Sequence, residues 1–199
     1  VSIACASSAT VCSMLLSTPG VLWAQGRPAA TADVVRQAIA RRAGTWITSN
    51  ARYRTEDNGE PAEYGTHFRP ELGGVSLTGC LWGQTDGAVV GVYWHFFTGW
   101  DPETETLLVY QSGRSGVVGI GYEELAVAEE PDIVEQLFAP LPGDEGRSSR
   151  IRHRSTWIGR DTLETESFDG AEGGWTPRRS YVWVRRPDVA APCARRLGG

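Results

Sequence analysis

The spacing of apolar residues changes period once, at Gly44, and that switch narrows the folds open to the chain. Before it, Val34, Val35, Ala38 and Ile39 recur at helical intervals, with N-cap candidates at Thr31-Ala32-Asp33 and with Arg41 and Arg42 near the C-terminal end. After it the period is two almost to the end of the chain. Strands are predicted over 46–54, 64–70, 75–84, 88–100, 106–111, 117–127, 133–138, 150–160, 162–168 and 175–186. The segments between them carry turn chemistry: Glu56-Asp57-Asn58-Gly59-Glu60-Pro61, Gly73-Gly74, Asp101-Pro102-Glu103-Thr104 and Gly113-Arg114-Ser115-Gly116. The stretch 141–149 is the longest polar loop, and Gly113, Gly116, Gly119 and Gly121 are expected to allow bends or bulges. Sequential strands with short connections leave two solutions, an up-and-down barrel or a sandwich. Closure removes exposed edges and sequential hairpins favour it. The expected fold is therefore all-β, an antiparallel up-and-down barrel of about ten strands with a short N-terminal helix.

The 199 residues fit one domain, and their 24 Gly and 11 Pro are spread through the chain as many short strands require. A net charge of −5 speaks against a nucleic-acid partner, which wants a concentrated basic surface. Every basic residue is Arg, so lysine mechanisms such as Schiff bases are excluded. Residues 1–24 have the small and apolar character of a signal segment, 25–43 form a leader and the short helix, 44–187 the barrel, and 188–199 a flexible tail. The apolar run in the signal segment is too short and too broken for a stable membrane span. Export to the periplasm or outside the cell is expected. Cleavage would leave Cys80 and Cys193, and spacing alone leaves open whether they bridge or remain two thiols. The oligomeric state is not legible.

Gly44-Thr45-Trp46, at the switch from helix to strand, resembles the glycine-any-tryptophan opening of lipocalins and related calycin barrels. Arg185 on the last strand resembles the basic residue that packs across that tryptophan, and 100–111 looks like uncharacterised bacterial lipocalin-like domains. The resemblance spans roughly residues 31–187 and lacks a Thr-Asp-Tyr motif, which puts the chain nearer the wider calycin group. It implies that Gly44, Trp46 and Arg185 close one end of the barrel, with a small apolar ligand entering at the other. Nitrobindin-type haem barrels share the opening but carry a proximal histidine late in the chain; none follows His153, so haem is not expected.

The residues that could carry chemistry are few. His67, His95 and His153 fall on separate strands with no ligand spacing, so no metal and no cofactor is expected. There is no nucleophile elbow and no glycosidase-like pair of acids. Arg150, Arg152 and Arg154 share one strand face, read as solvated and neutralised by nearby Glu164 and Glu166; Glu123-Glu124 and Glu129-Glu130 are likewise read as solvated. Aromatic residues crowd the strands, and 88–100 has two apolar faces, so both are expected to be covered. Tyr93, His95, Phe97, His153, Trp157 and Trp183 are the expected lining of an internal cavity. The function expected from this pattern is binding of a small apolar or amphipathic molecule. The alternatives are a barrel enzyme (cyclase, isomerase or hydrolase) using an interior histidine as acid-base group, and a structural module with a filled barrel.

Overall fold

The computed structural model describes residues 32–125, 131–140, 148–171 and 173–193. The expected signal segment, Glu129-Glu130 and most of the 141–149 loop lie outside the described residues. Helix α1 (Ala32–Arg42) is followed by β1 (Gly44–Ser49), β2 (Glu63–Glu71), β3 (Ser76–Thr85), β4 (Ala88–Asp101) and β5 (Thr106–Gly113). The wall continues with β6 (Val117–Glu124), β7 (Asp132–Pro140), β8 (Ser149–Trp157), β9 (Thr162–Ala171) and β10 (Gly174–Arg185). Each strand runs antiparallel to its neighbour in sequence, and β1 pairs with β10 to close the barrel. No described helix is long and apolar enough to cross a membrane.

β1 is shorter than the period-two pattern predicts. At Asn50 the chain turns: its carbonyl accepts from the amides of Tyr53 and Arg54, and its side-chain amide donates to the Pro61 carbonyl at 3.0 Å. Only Trp46 and Ile47 therefore pair with β10, opposite Arg185 and Val184. Higher up, the 50–62 connection takes over the seam. The Tyr53 hydroxyl accepts the Ser180 amide at 2.8 Å, and the Tyr181 hydroxyl donates to Asn50 Oδ1 at 3.1 Å.

α1 seals one end of the barrel because its apolar stripe points into it. Val35 and Ile39 are fully buried against Leu77, Leu107 and Leu125, with Phe68 and Trp100 alongside. Burying such side chains stabilises by about 1.5–3 kcal/mol each. Gly44 lets the chain leave the helix tightly: its φ is +107°, and a Cβ there would lie 3.2 Å from Arg185 Nη1.

A second apolar cluster lies outside the wall. Ile47, Cys80 and Trp82 point away from the interior and are covered by Val189, Ala191 and Cys193, with Cys193 joined to Cys80 in a disulfide across 113 residues of sequence. Residues 188–193, expected as part of a flexible tail, are thus packed against the barrel by apolar burial and a covalent bond; 194–199 lie outside the described residues.

Gly119 and Gly121 differ from expectation too. The pairing of β6 with both neighbours runs without a register shift. These glycines face inward and give up their volume to the Phe138 and Gln136 side chains of β7. The bulges fall elsewhere, in β3–β4 at Leu81/Trp82 and Gly83/Gln84 and in β9–β10 at Pro177/Arg179.

Candidate functional site: an internal cavity

The inward side chains enclose a cavity of about 510 Å³, within the range of small-molecule sites. Its floor is the end sealed by α1. There the Arg185 guanidinium lies 4.1 Å from the centre of the Trp46 ring and donates to the helix-terminal carbonyls of Arg41, at 2.9 Å, and Ala43. Trp46 Nε1 donates to the Arg42 carbonyl at 2.9 Å. One cation thus caps the C-terminus of α1 while it stacks on the first strand.

Beside Trp46 lies a buried charge cluster. Arg42 reaches into the barrel, binds both carboxylate oxygens of Glu123 and donates to Asp132 Oδ2 at 2.7 Å. Trp157 Nε1 donates to the same Asp132 oxygen at 3.3 Å. Burial works against the charge on Arg42, but the Glu123 and Asp132 carboxylates outweigh it and hold its pKa above the ordinary value. Burial, reinforced by Asp132, pushes the Glu123 carboxyl above the usual carboxylate range even though Arg42 opposes it. Glu123 is therefore not the solvated residue its acidic neighbour suggests: it is 3% exposed, because it shares the inward face of β6 with Gly119 and Gly121.

Above the floor the wall is two-sided in chemistry. Phe68 packs on Phe96, and Trp94 meets Phe138 edge-on, both at 5.6 Å between ring centres. The strands β5 to β9 contribute polar groups. Gln111 Nε2 donates to Gln136 Oε1 at 2.8 Å, which the absence of side chains at Gly119 and Gly121 allows across the intervening strand. Trp183 Nε1 donates to Thr165 Oγ1 at 2.9 Å. His153 stands on β8 opposite Val134 and Ser167. Burial, with Arg178 adding to it, depresses its pKa to about 4, so the imidazole is neutral near pH 7. Among the described residues, neither His153 Nε2 nor Gln136 Nε2 has a hydrogen-bond partner.

At the other end a polar network links the 50–62 connection to β10. Arg179 donates to both oxygens of Glu60, whose carboxylate also accepts from Asn50 Nδ2 at 2.9 Å. The Arg179 hydrogen bonds hold Glu60 below the usual carboxylate range. Tyr64 packs against Tyr93 and Tyr181, and burial, helped by the Glu60 charge, pushes its hydroxyl up to about 12.

Three of the six residues expected in the lining are there: His153, Trp157 and Trp183. Tyr93 is not among the lining residues; it is the extra residue of the β3–β4 bulge, with its ring against Tyr64 and under Arg114. His95 and Phe97 are a correction, since both are on the exterior. The pairing puts Phe96 level with Gly79 and Gln111 on the inner face, which turns His95 and Phe97 out. The expectation that both faces of β4 are covered fails with them. Phe97 is 39% exposed in an exterior row with Tyr110, Ile120 and Leu137, each paired with the next across neighbouring strands.

His67 also faces outward, and its Nδ1 shares a hydrogen bond of 3.0 Å with Thr45 Oγ1. The stripe Arg150, Arg152 and Arg154 is exterior and paired, with Glu135 for the first two and Glu166 for the third. Among the described residues no group of three or more His, Cys, Asp or Glu side chains gathers to hold a metal. Sequence reasoning missed Trp94, Phe96, Gln111, Gln136, Arg42 and Glu123 as lining residues. Only the run of inward glycines on β6 could have hinted at the Gln111–Gln136 contact.

No protein-family model matches the chain, and no curated protein matches it. Among solved structures it is similar to the crystal structure of Rv2717c from M. tuberculosis. The likeness has a TM-score of 0.50 at 16% sequence identity, over 76% of this chain and 97% of that one. At that identity the likeness is one of fold.

Proposed function

We propose that this protein is an exported, lipocalin-like carrier that takes a small apolar or amphipathic molecule into its barrel. The observation that carries the reading is the cavity of about 510 Å³ walled by Phe68, Trp94, Phe96, Phe138 and Trp183. A filled, purely structural barrel would have no such space. Among the described residues His153 Nε2 has no hydrogen-bond partner, which leaves that nitrogen free to meet a bound molecule. The disulfide between Cys80 and Cys193 supports an oxidising compartment and hence export.

The test is uptake of N-phenyl-1-naphthylamine, an uncharged dye that brightens in apolar surroundings, by the disulfide-intact protein. Saturable binding near one dye per chain is expected, together with loss of the signal when an apolar competitor is added. Fluorescence that rises without saturation, or not at all, would overturn the reading.

A further inference from the structure

We propose that the molecule held in the cavity carries an uncharged oxygen group, a hydroxyl or a carbonyl, seated between Gln136 and His153, and that the corresponding carboxylate is selected against. This rests on the binding reading above and names the chemistry of the ligand.

Gln136 is 3% exposed and lines the cavity. Its amide oxygen is occupied by Gln111, which leaves its amide nitrogen as a donor with no acceptor among the described residues. His153 Nε2 is likewise unpartnered and lines the same cavity. The two side chains are diagonal neighbours on one face, since His153 is opposite Val134 and Gln136 is opposite Ile151. Buried polar atoms of this kind are costly unless something meets them. A ligand hydroxyl can accept from Gln136 and donate to the imidazole, and a carbonyl can accept from both.

The charge of the ligand follows from the cations around it. Arg42 is committed to Glu123 and Asp132, and Arg179 to Glu60. Arg178 lines the cavity and its charge bears on His153, but its side chain is half exposed and faces Asp169 at 3.7 Å, so solvent and that carboxylate screen it. The imidazole of His153 is itself neutral. A carboxylate placed between Gln136 and His153 would therefore give up its hydration with no free buried cation in exchange. A neutral oxygen group pays far less for leaving water and satisfies the same two atoms.

The experiment compares three molecules on one rigid skeleton, 2-naphthol, naphthalene and 2-naphthoate, as competitors of N-phenyl-1-naphthylamine at pH 7.5. The expected order is 2-naphthol tightest, by about tenfold over naphthalene, the worth of one well-placed hydrogen bond, with 2-naphthoate weakest. The double variant Gln136→Leu/His153→Phe, shown to be folded by its circular dichroism, should bind 2-naphthol and naphthalene with about equal affinity, as read by titration calorimetry. In the wild type, the Gln136 side-chain amide resonances should move with 2-naphthol and much less with naphthalene. Equal binding of 2-naphthol and naphthalene by the wild type would mean that these atoms serve water alone, and would overturn the proposal while leaving the binding reading intact. Tightest binding of 2-naphthoate would do the same. Failure of the dye itself to bind would overturn both.

Discussion

The two ends of this barrel treat polar groups in opposite ways. At the end sealed by α1, Arg185 caps the helix carbonyls, and Arg42 is enclosed with Glu123 and Asp132 behind Trp46. At the other end, Glu60, Arg179, Asn50 and Tyr181 form a network of comparable connectivity, but one that is partly open to solvent. The same kinds of groups therefore do different physical work. Enclosed charges must be matched or the end fails, whereas screened charges only bias the position of the 50–62 connection. Between the two ends the wall carries two fully buried nitrogens that are unmatched among the described residues, Gln136 Nε2 and His153 Nε2.

The largest effect expected from this contrast is at the sealed end. Arg42→Met would remove the guanidinium and leave Glu123 beside Asp132 in a buried setting, a change that costs about 3–5 kcal/mol. In a protein of this size that lowers the melting temperature by about 6–20 °C, as followed by circular dichroism. A loss below about 1 kcal/mol would mean that the cluster is solvated and that the two ends do not differ.

How far this arrangement could be read from sequence depends on which partner decides it. The period switch at Gly44 marks α1 and all ten strands, because alternation is a property of each segment alone. Trp46 and Arg185 were legible as a pair from the resemblance, and they stack in the structure. The facing of β4 was not legible, since Trp94 and Phe96 alternate with equally bulky Tyr93, His95 and Phe97 and the choice is made by Gly79 and Gln111 on other strands. Glu123 was hidden for a related reason. Its neighbour Glu124 makes it look solvated, and its partner Arg42 is 81 residues away on the helix. Polar residues that turn inward to meet a distant charge leave no periodic trace.

The middle of the wall offers an intermediate effect, and it depends on pH. His153 has a folded pKa of about 4 against an ordinary value of 6.5. Between these values the unfolded chain binds more protons at this site, so His153 makes stability fall as pH drops from about 6.5 to 4 and contributes no such slope above 6.5. The penalty approaches on the order of 2–3 kcal/mol at the acid end. Glu123 acts in the opposite direction, since its raised pKa favours the folded state at low pH. The difference between wild type and His153→Leu removes that contribution and isolates the imidazole. Urea unfolding at intervals from pH 7.5 to pH 4.5 should show the variant losing less stability than the wild type; parallel curves would place His153 in contact with bulk water.

The smallest stability change is expected at the open end, where Glu60→Gln is informative because of what it should leave alone. The Glu60 and Arg179 side chains are 21% and 31% exposed, so solvent and salt screen their attraction, and its loss costs about 1 kcal/mol or less. The variant should unfold within a few degrees of the wild type, in contrast to Arg42→Met. Its effect belongs to motion, because Glu60 ties the 50–62 connection to β10 through Arg179. Weakening that tie favours open arrangements of the rim and lets a bound molecule leave sooner. Stopped-flow release of N-phenyl-1-naphthylamine should become a few-fold faster, and high salt should bring the wild type toward the variant, since screening acts on the same pair. An unchanged release rate with a melting temperature lowered as far as in Arg42→Met would make Glu60 and Arg179 a second structural clamp, and the two ends of the barrel would then be alike.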